Sequence, residues 1–201
     1  MDIARVMANL YDRGFIPHYS DTGAHAVEQI LELIGEKDTV GFSGSKTVET
    51  LKIPYALHNR GNKVFHKLIS PETDKDELYK ASRDADWLIS SSNAMSEDGQ
   101  LVNIDGKGNR VASMIYGPKN VIVVIGINKI APDLNAAVDR AKNIAAPLNA
   151  RRFNLSTPCT LEGKCADCRS AERICRATMI LTNPTYNVNF HIIIVNENLG
   201  F

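Results

Sequence analysis

Surplus charge is missing from this chain: Lys and Arg together number 23, and Asp and Glu also number 23. Nothing in the totals therefore favours nucleic acid or an anionic membrane surface as a partner. No apolar run reaches the roughly 20 residues of a membrane span. The amino-terminal MDIARVMANLYDRG lacks the uninterrupted apolar core of a secretory signal, so the expectation is a cytoplasmic protein without a membrane partner. Internal repeats, low-complexity tracts and linkers are absent, which leaves one domain over residues 1–201, large enough to bury roughly 70% of its unfolded surface without staples. Cysteine does not occur before Cys159. The five histidines are scattered and are read as structural or solvated rather than as ligands.

The polar chemistry that is present crowds the stretch from Asp86 to Gly117, DWLISSSNAMSEDGQLVNIDGKGNRVASMIYG. Trp87, Leu88 and Ile89 read as a buried strand, and Ser91, Ser92 and Asn93 suit the exposed end of such a strand. Asp98-Gly99 is a tight-turn pair between Met95 and Leu101, and Asp105, Gly106, Gly108, Asn109 and Arg110 form a second polar loop. The apolar run Val111 to Tyr116 is expected to be β-rich. Hairpin turns account for the glycines. They do not account for Ser91, Ser92, Asn93, Glu97, Asn103, Asp105, Asn109 and Arg110 in so short a span, which predicts a ligand site.

Along the chain, Ile3, Val6, Met7, Leu10 and Tyr11 predict an amphipathic helix ending near Gly14, and Phe15 to Tyr19 a short strand. Asp21 or Thr22 can cap a second helix carrying Val27, Ile30, Leu31 and Ile34. Thr39 to Phe42 reads as a buried strand running into GFSGSKT and a short helix. Backbone N–H groups there could let Gly44, Ser45, Lys46 and Thr47 hold a phosphate or carboxylate, although the spacing is not that of a Walker loop or dinucleotide fingerprint. A plain tight connection capped by Ser43 or Ser45 is the competing explanation. Lys63 to His66 is a further strand candidate, and Asp74 to Ser82 a charged, solvated helix. Asn120 to Ile127 is continuously apolar, the mark of a strand covered on both faces, and Asn128 and Lys129 follow it. Pro132 is expected in the first turn of a helix running to Pro147, and Phe190 to Val195 as a last strand. The fold class is α/β: a largely parallel, Rossmann-like sheet flanked by helices, with an inserted hairpin. Such sheets bind ligands at the carboxyl ends of their strands, which would bring Gly44 to Thr47, Ser91 to Asn93, Asn128 and Lys129 to one crevice.

All four cysteines lie in TPCTLEGKCADCRSAERIC, within a loop at 157–176: Cys159, Cys165, Cys168 and Cys175. Disulfides are not expected in a reducing compartment, whereas four clustered thiolates suit an iron-sulfur cluster or, alternatively, zinc. The spacing matches neither the ferredoxin run nor a regular zinc ribbon. Lys164, Arg169, Arg173 and Arg176 outnumber the nearby acidic residues and would help keep thiolates ionised.

These segments carry a resemblance. GFSGSKTVETL, ISSSNAMSEDGQLVNIDGKGNRVASMIYGPKNVIVVIGINKI, APLNARR and the cysteine segment, together with most of the remaining chain, are similar to the LUD-domain (lactate-utilisation) family, and in particular to its short members with a four-cysteine loop. The resemblance implies the fold of the NagB/RpiA/CoA-transferase-like superfamily and a role in oxidising L-lactate or a related 2-hydroxy acid beside iron-sulfur partner proteins. No appended ferredoxin-like segment is expected. Ser96, Glu97, Asp98 and Gly99 also resemble the S-E-N-G segment of CoA transferases, in which the glutamate is the nucleophile, with Asp98 standing in place of asparagine.

The expected function is therefore a small-anion-binding subunit of 2-hydroxy-acid oxidation. The substrate carboxylate would sit near Ser45 and its hydroxyl near Asn93 or Asn103, with Glu97 or Asp105 as the proton acceptor. The alternative is a sugar-phosphate isomerase or CoA/acyl-transfer enzyme with a structural zinc, dependent on Glu97. A binding module without chemistry is the third reading, and self-association is left open.

Overall fold

In the computed structural model, which describes residues 1–201, the chain opens with α1 (Ile3–Asp12), capped by the Asp2 carboxylate, and enters β1 (Ile16–Ser20). The Thr22 hydroxyl caps α2 (Gly23–Leu33), and β2 (Thr39–Phe42) follows. A short α3 (Lys46–Thr50), α4 (Ile53–Arg60) and β3 (Lys63–Phe65) lead to α5 (Lys75–Arg83), capped by Asp74. Next come β4 (Trp87–Ser90), β5 (Ala94–Ser96), β6 (Leu101–Asp105), α6 (Asn109–Ile115) and β7 (Asn120–Gly126). After β8 (Ile130–Ala131), α7 (Leu134–Arg140) runs through a π turn (Ala141–Ala145) into α8 (Ala146–Arg152). The chain finishes with α9 (Pro158–Glu162), β9 (Ala177–Leu181) and β10 (Asn189–Val195).

Six strands form one wholly parallel sheet in the order β1-β10-β7-β4-β2-β3. The continuously apolar β7 is explained by cover on both faces. Ile122 and Val124 pack with Ile30, Phe42 and Val48 on one side, and Val121, Val123 and Ile125 with Val6, Leu10 and Phe15 on the other. The order reverses between β2, which leads outward to β3, and β4, which leads back toward β7. Two adjacent strands whose chains leave in opposite directions open a crevice at their carboxyl ends. On the outer side of β2, α5 lies so close that a Cβ on Gly41 would stand 2.4 Å from the Ser82 backbone, while Ser82 Oγ accepts from Phe42 N at 3.1 Å.

Four expectations are corrected. Val111 to Tyr116 is not β-rich; Val111 to Ile115 belong to α6 and Tyr116 follows its end, because Gly108 turns left-handed and the Asp105 carboxylate accepts the N–H groups of Gly108, Arg110 and Val111, each at 3.2 Å. Local capping outweighs the β-propensity of the run. Pro132 is not in a helix: Asp133 accepts Ala136 N at 2.8 Å and starts α7 one residue later. Pro147 does not end that helix, since the π turn ahead of it accommodates a ring without an N–H. The β5–β6 hairpin is not a lone insertion but the middle of a second sheet, β8-β5-β6-β9, whose Ala94, Val102 and Ile104 pack on Ala137, Ala141 and Ala146.

Candidate functional site

A cleft of about 280 Å³ opens where β2 and β4 diverge. Gly44, Ser45 and Lys46 enter it from the loop after β2, Ser91, Ser92 and Asn93 from the loop after β4, and Lys129 from the turn after β7. Asp105, Asn109 and Arg110 approach from the small sheet and α6, and Asn149 and Arg152 from α8. Thr47 lies just behind the wall, wholly buried, accepting from Lys129 Nζ at 2.8 Å.

Lys129 is only 4% exposed, and its ammonium has no carboxylate side chain in ion-pair contact. Besides Thr47 it donates to Ser91 Oγ at 3.0 Å and to the Ser92 carbonyl at 3.3 Å. Burial, and after it the positive charges of Arg140 and Arg110, push its pKa down to about 7. A lysine so placed can give or take a proton near neutrality.

Arg110 holds the other side. Its guanidinium donates to the Ser91 carbonyl at 3.1 Å, Asn93 Oδ1 at 2.9 Å, the Ile104 carbonyl at 2.7 Å and Asn103 Oδ1, with Asp105 at 3.9 Å. Burial lowers its pKa and Asp105 opposes that shift. An arginine remains a cation through such a shift. Arg140 reaches the Asn93 carbonyl at 2.6 Å and the Asn128 carbonyl at 2.9 Å, tying the loops after β4 and β7 together. Asn103 is wholly buried, and its amide nitrogen has no partner.

The sequence-derived candidates thus separate. Asp105 reaches the cleft, but both carboxylate oxygens are committed to backbone N–H groups of α6, which makes it a positioning residue rather than a free base. Glu97 stands at the opposite end of the hairpin, about 13 Å from Asn93 by strand rise, where its carbonyl accepts from Asn9. Asn128 braces the carboxyl-terminal segment through Leu199 N at 3.0 Å instead of lining the cleft. The α3 start is also reinterpreted: a five-residue helix has little dipole, and Ser45 Oγ already accepts Val48 N at 3.3 Å. Charge in the cleft is carried by side chains. Sequence reading missed Arg140, Lys107 and Tyr79; Asn149 and Arg152 were signalled only by the APLNARR segment.

Cys159, Cys165, Cys168 and Cys175 are unpaired, partly buried, and line one small cavity of about 20 Å³ floored by Ala146, Pro147 and Ala150. No group of three or more His, Cys, Asp or Glu side chains is drawn together closely enough here to hold a metal ion.

The fold agrees with what comparison finds. A protein of the DUF162 family from Deinococcus radiodurans has a crystal structure similar to this chain, with a TM-score of 0.56, 15% identity and 96% of each chain covered. At that identity the likeness is one of fold. No curated protein matches this chain. The LUD domain family model matches residues 3–195, nearly the whole length. The chain belongs to the LUD-domain family.

Proposed function

We propose that this chain is a lactate-utilisation-type protein that binds a small 2-hydroxy acid, L-lactate or a close relative, in the cationic cleft, and serves as a component of its oxidation. One observation carries the reading: the buried amine of Lys129 stands without a carboxylate partner at the switch point of the sheet, beside the largely covered guanidinium of Arg110, with Lys46 and Arg152 at the mouth and Asp105, 3.9 Å from Arg110, as the acidic residue among them. Uncompensated buried cations are costly, and an anion supplies the missing charge.

A carboxylate between Lys46 and Arg110 would leave the 2-hydroxyl facing Lys129. In its neutral form Lys129 accepts the hydroxyl proton, while Asn93, held by Arg110 and lining the cleft, fixes the orientation. The remaining two electrons and the proton from the carbon pass as the substrate becomes a 2-keto acid to an acceptor on an iron-sulfur partner protein. The isomerase and acyl-transfer alternative draws no support from the cleft, because Glu97 lies away from it.

Calorimetric titration with L-lactate, pyruvate and the neutral amide of lactate tests the reading. Both anions should bind and the amide should not, and Arg110→Met should weaken lactate binding more than tenfold. Equal binding of acid and amide, or none of either, would end it. Dye-linked lactate oxidation measured with and without partner proteins then separates an enzyme component from a binding module.

A further inference from the structure

Lys129 is the one buried lysine of the chain, and it lines the cleft from the short turn Ile127–Lys129 after β7. Main chain backs its amine. Gly200, left-handed at φ 64°, passes so close that a Cβ there would stand 2.5 Å from Thr47 Oγ1 and 3.2 Å from Lys129 Nζ. Thr47, which accepts from the amine, in turn donates to the Leu199 carbonyl at 3.3 Å and is thereby fixed. Ser91 differs. Its oxygen accepts from Lys129 at 3.0 Å, but its own hydrogen reaches only Thr47 Oγ1 or the Ser92 carbonyl, each at 3.4 Å. A hydroxyl so loosely held, on the cleft wall, is free to turn toward a ligand and pass a proton. No carboxylate holds the amine in its charged form; burial first, then Arg140 and Arg110, favour the free base. At pH 7 about half of Lys129 is free amine, against roughly one part in three thousand for an ordinary lysine.

The geometry points to Lys129 as an imine-forming residue, whose amine adds to the keto carbon of a 2-oxo acid in the cleft and holds it as a protonated Schiff base. The inference rests on the anion-binding reading of the cleft. There the carboxylate places the 2-position against Lys129, and once that carbon carries a keto group the same amine faces an electrophile. The nitrogen lone pair attacks C2, the carbonyl π electrons move to oxygen, and a proton passes from nitrogen to that oxygen by way of Ser91. The carbinolamine then expels the oxygen with a second proton as water. Counted from the ammonium, its three hydrogens end as one on the iminium and two in the water, and the positive charge is conserved. No oxidant or reductant takes part. The iminium keeps a cation beside the substrate carboxylate and withdraws electrons from C3, so a C3 hydrogen exchanges with solvent through the enamine.

The test incubates the full chain with pyruvate and sodium cyanoborohydride near neutral pH and maps the product by peptide mass spectrometry. One reduced adduct per chain is expected, on Lys129, suppressed by excess L-lactate and lost in Lys129→Met. Mapping the unaltered chain gives the answer without any variant. In deuterium oxide, pyruvate C3 should take up deuterium about tenfold or more faster than in buffer, and Ser91→Ala should slow adduct formation by a similar factor. Pyruvate that binds by calorimetry yet leaves no adduct, or an adduct spread evenly over exposed lysines, overturns the imine and leaves the cleft reading standing. An adduct on Lys129 in a chain without affinity for L-lactate upholds the imine and ends the lactate reading. Neither binding nor adduct ends both, and an unchanged rate in Ser91→Ala overturns the relay alone.

Discussion

Replacing Lys129 with Met should reverse its effect on stability between pH 7 and pH 10. The amine has a pKa of about 7 in the folded chain against an ordinary 10.5, a gap corresponding to about 5 kcal/mol. Because the folded state resists protonation, the unfolded chain binds more protons through that window, so stability rises with pH from about 7 to about 10.5. At pH 7 most of the roughly 5 kcal/mol is still a penalty, and Met removes it. Met also forfeits the hydrogen bonds to Thr47, Ser91 and Ser92, worth about 3 kcal/mol together. Lys129→Met should therefore be about 1–2 kcal/mol more stable than the parent at pH 7, and about 2 kcal/mol less stable at pH 10, where the bond loss outweighs a remaining penalty of about 1 kcal/mol. Urea denaturation at the two pH values reads this directly. The same residue predicts a binding signature: an anion beside Lys129 raises its pKa, so L-lactate binding near pH 8 should take up a proton. That uptake is visible as a buffer-dependent calorimetric enthalpy and should be absent in the variant. A variant that is destabilised alike at both pH values, together with lactate binding free of proton uptake, would refute the account of the buried amine.

Gly41→Ala should destabilise the chain by about 3 kcal/mol in urea, because the new methyl meets the Ser82 backbone, which cannot retreat without moving α5 off β2. His18 and His191 are paired at 3.0 Å and stacked beside Trp87, and burial followed by His18 pushes the His191 pKa down to about 4. Stability should accordingly fall as pH drops from about 6.5 toward 4, by about 2 kcal/mol after allowance for solvent screening of a half-buried ring, and His191→Phe should remove that part of the acid sensitivity. Glu97→Gln should leave L-lactate affinity unchanged, since Glu97 stands on the far turn of the hairpin; a large loss would return chemistry to that residue.

What the sequence made legible was whatever depends on near neighbours. Period and capping placed the first two helices, and the unbroken apolar run of β7 announced a strand covered on both faces, from which the parallel sheet and its crevice follow. Ser45, Asn93 and Lys129 could be gathered because each ends a strand, and strand ends of a parallel sheet share an edge. Roles set by distant contacts were not legible. Glu97 and Asp105 look alike in sequence as acids beside Asp98-Gly99 and Gly106. Only the fold sends one to the outer turn of the hairpin and spends the other on capping α6. Arg140 gives no local sign at all: it is one more charge on a helix until the carbonyls of Asn93, Asn128 and Phe201 converge on its guanidinium. Its position matters because, after the burial of the Lys129 amine itself, the charges of Arg140 and Arg110 lower that amine further toward neutrality. The proton-handling group of this site is thus a property of three basic residues, Arg110, Lys129 and Arg140, that the chain keeps apart in sequence and the sheet brings together. Its pKa should move upward if either arginine is removed while the fold survives.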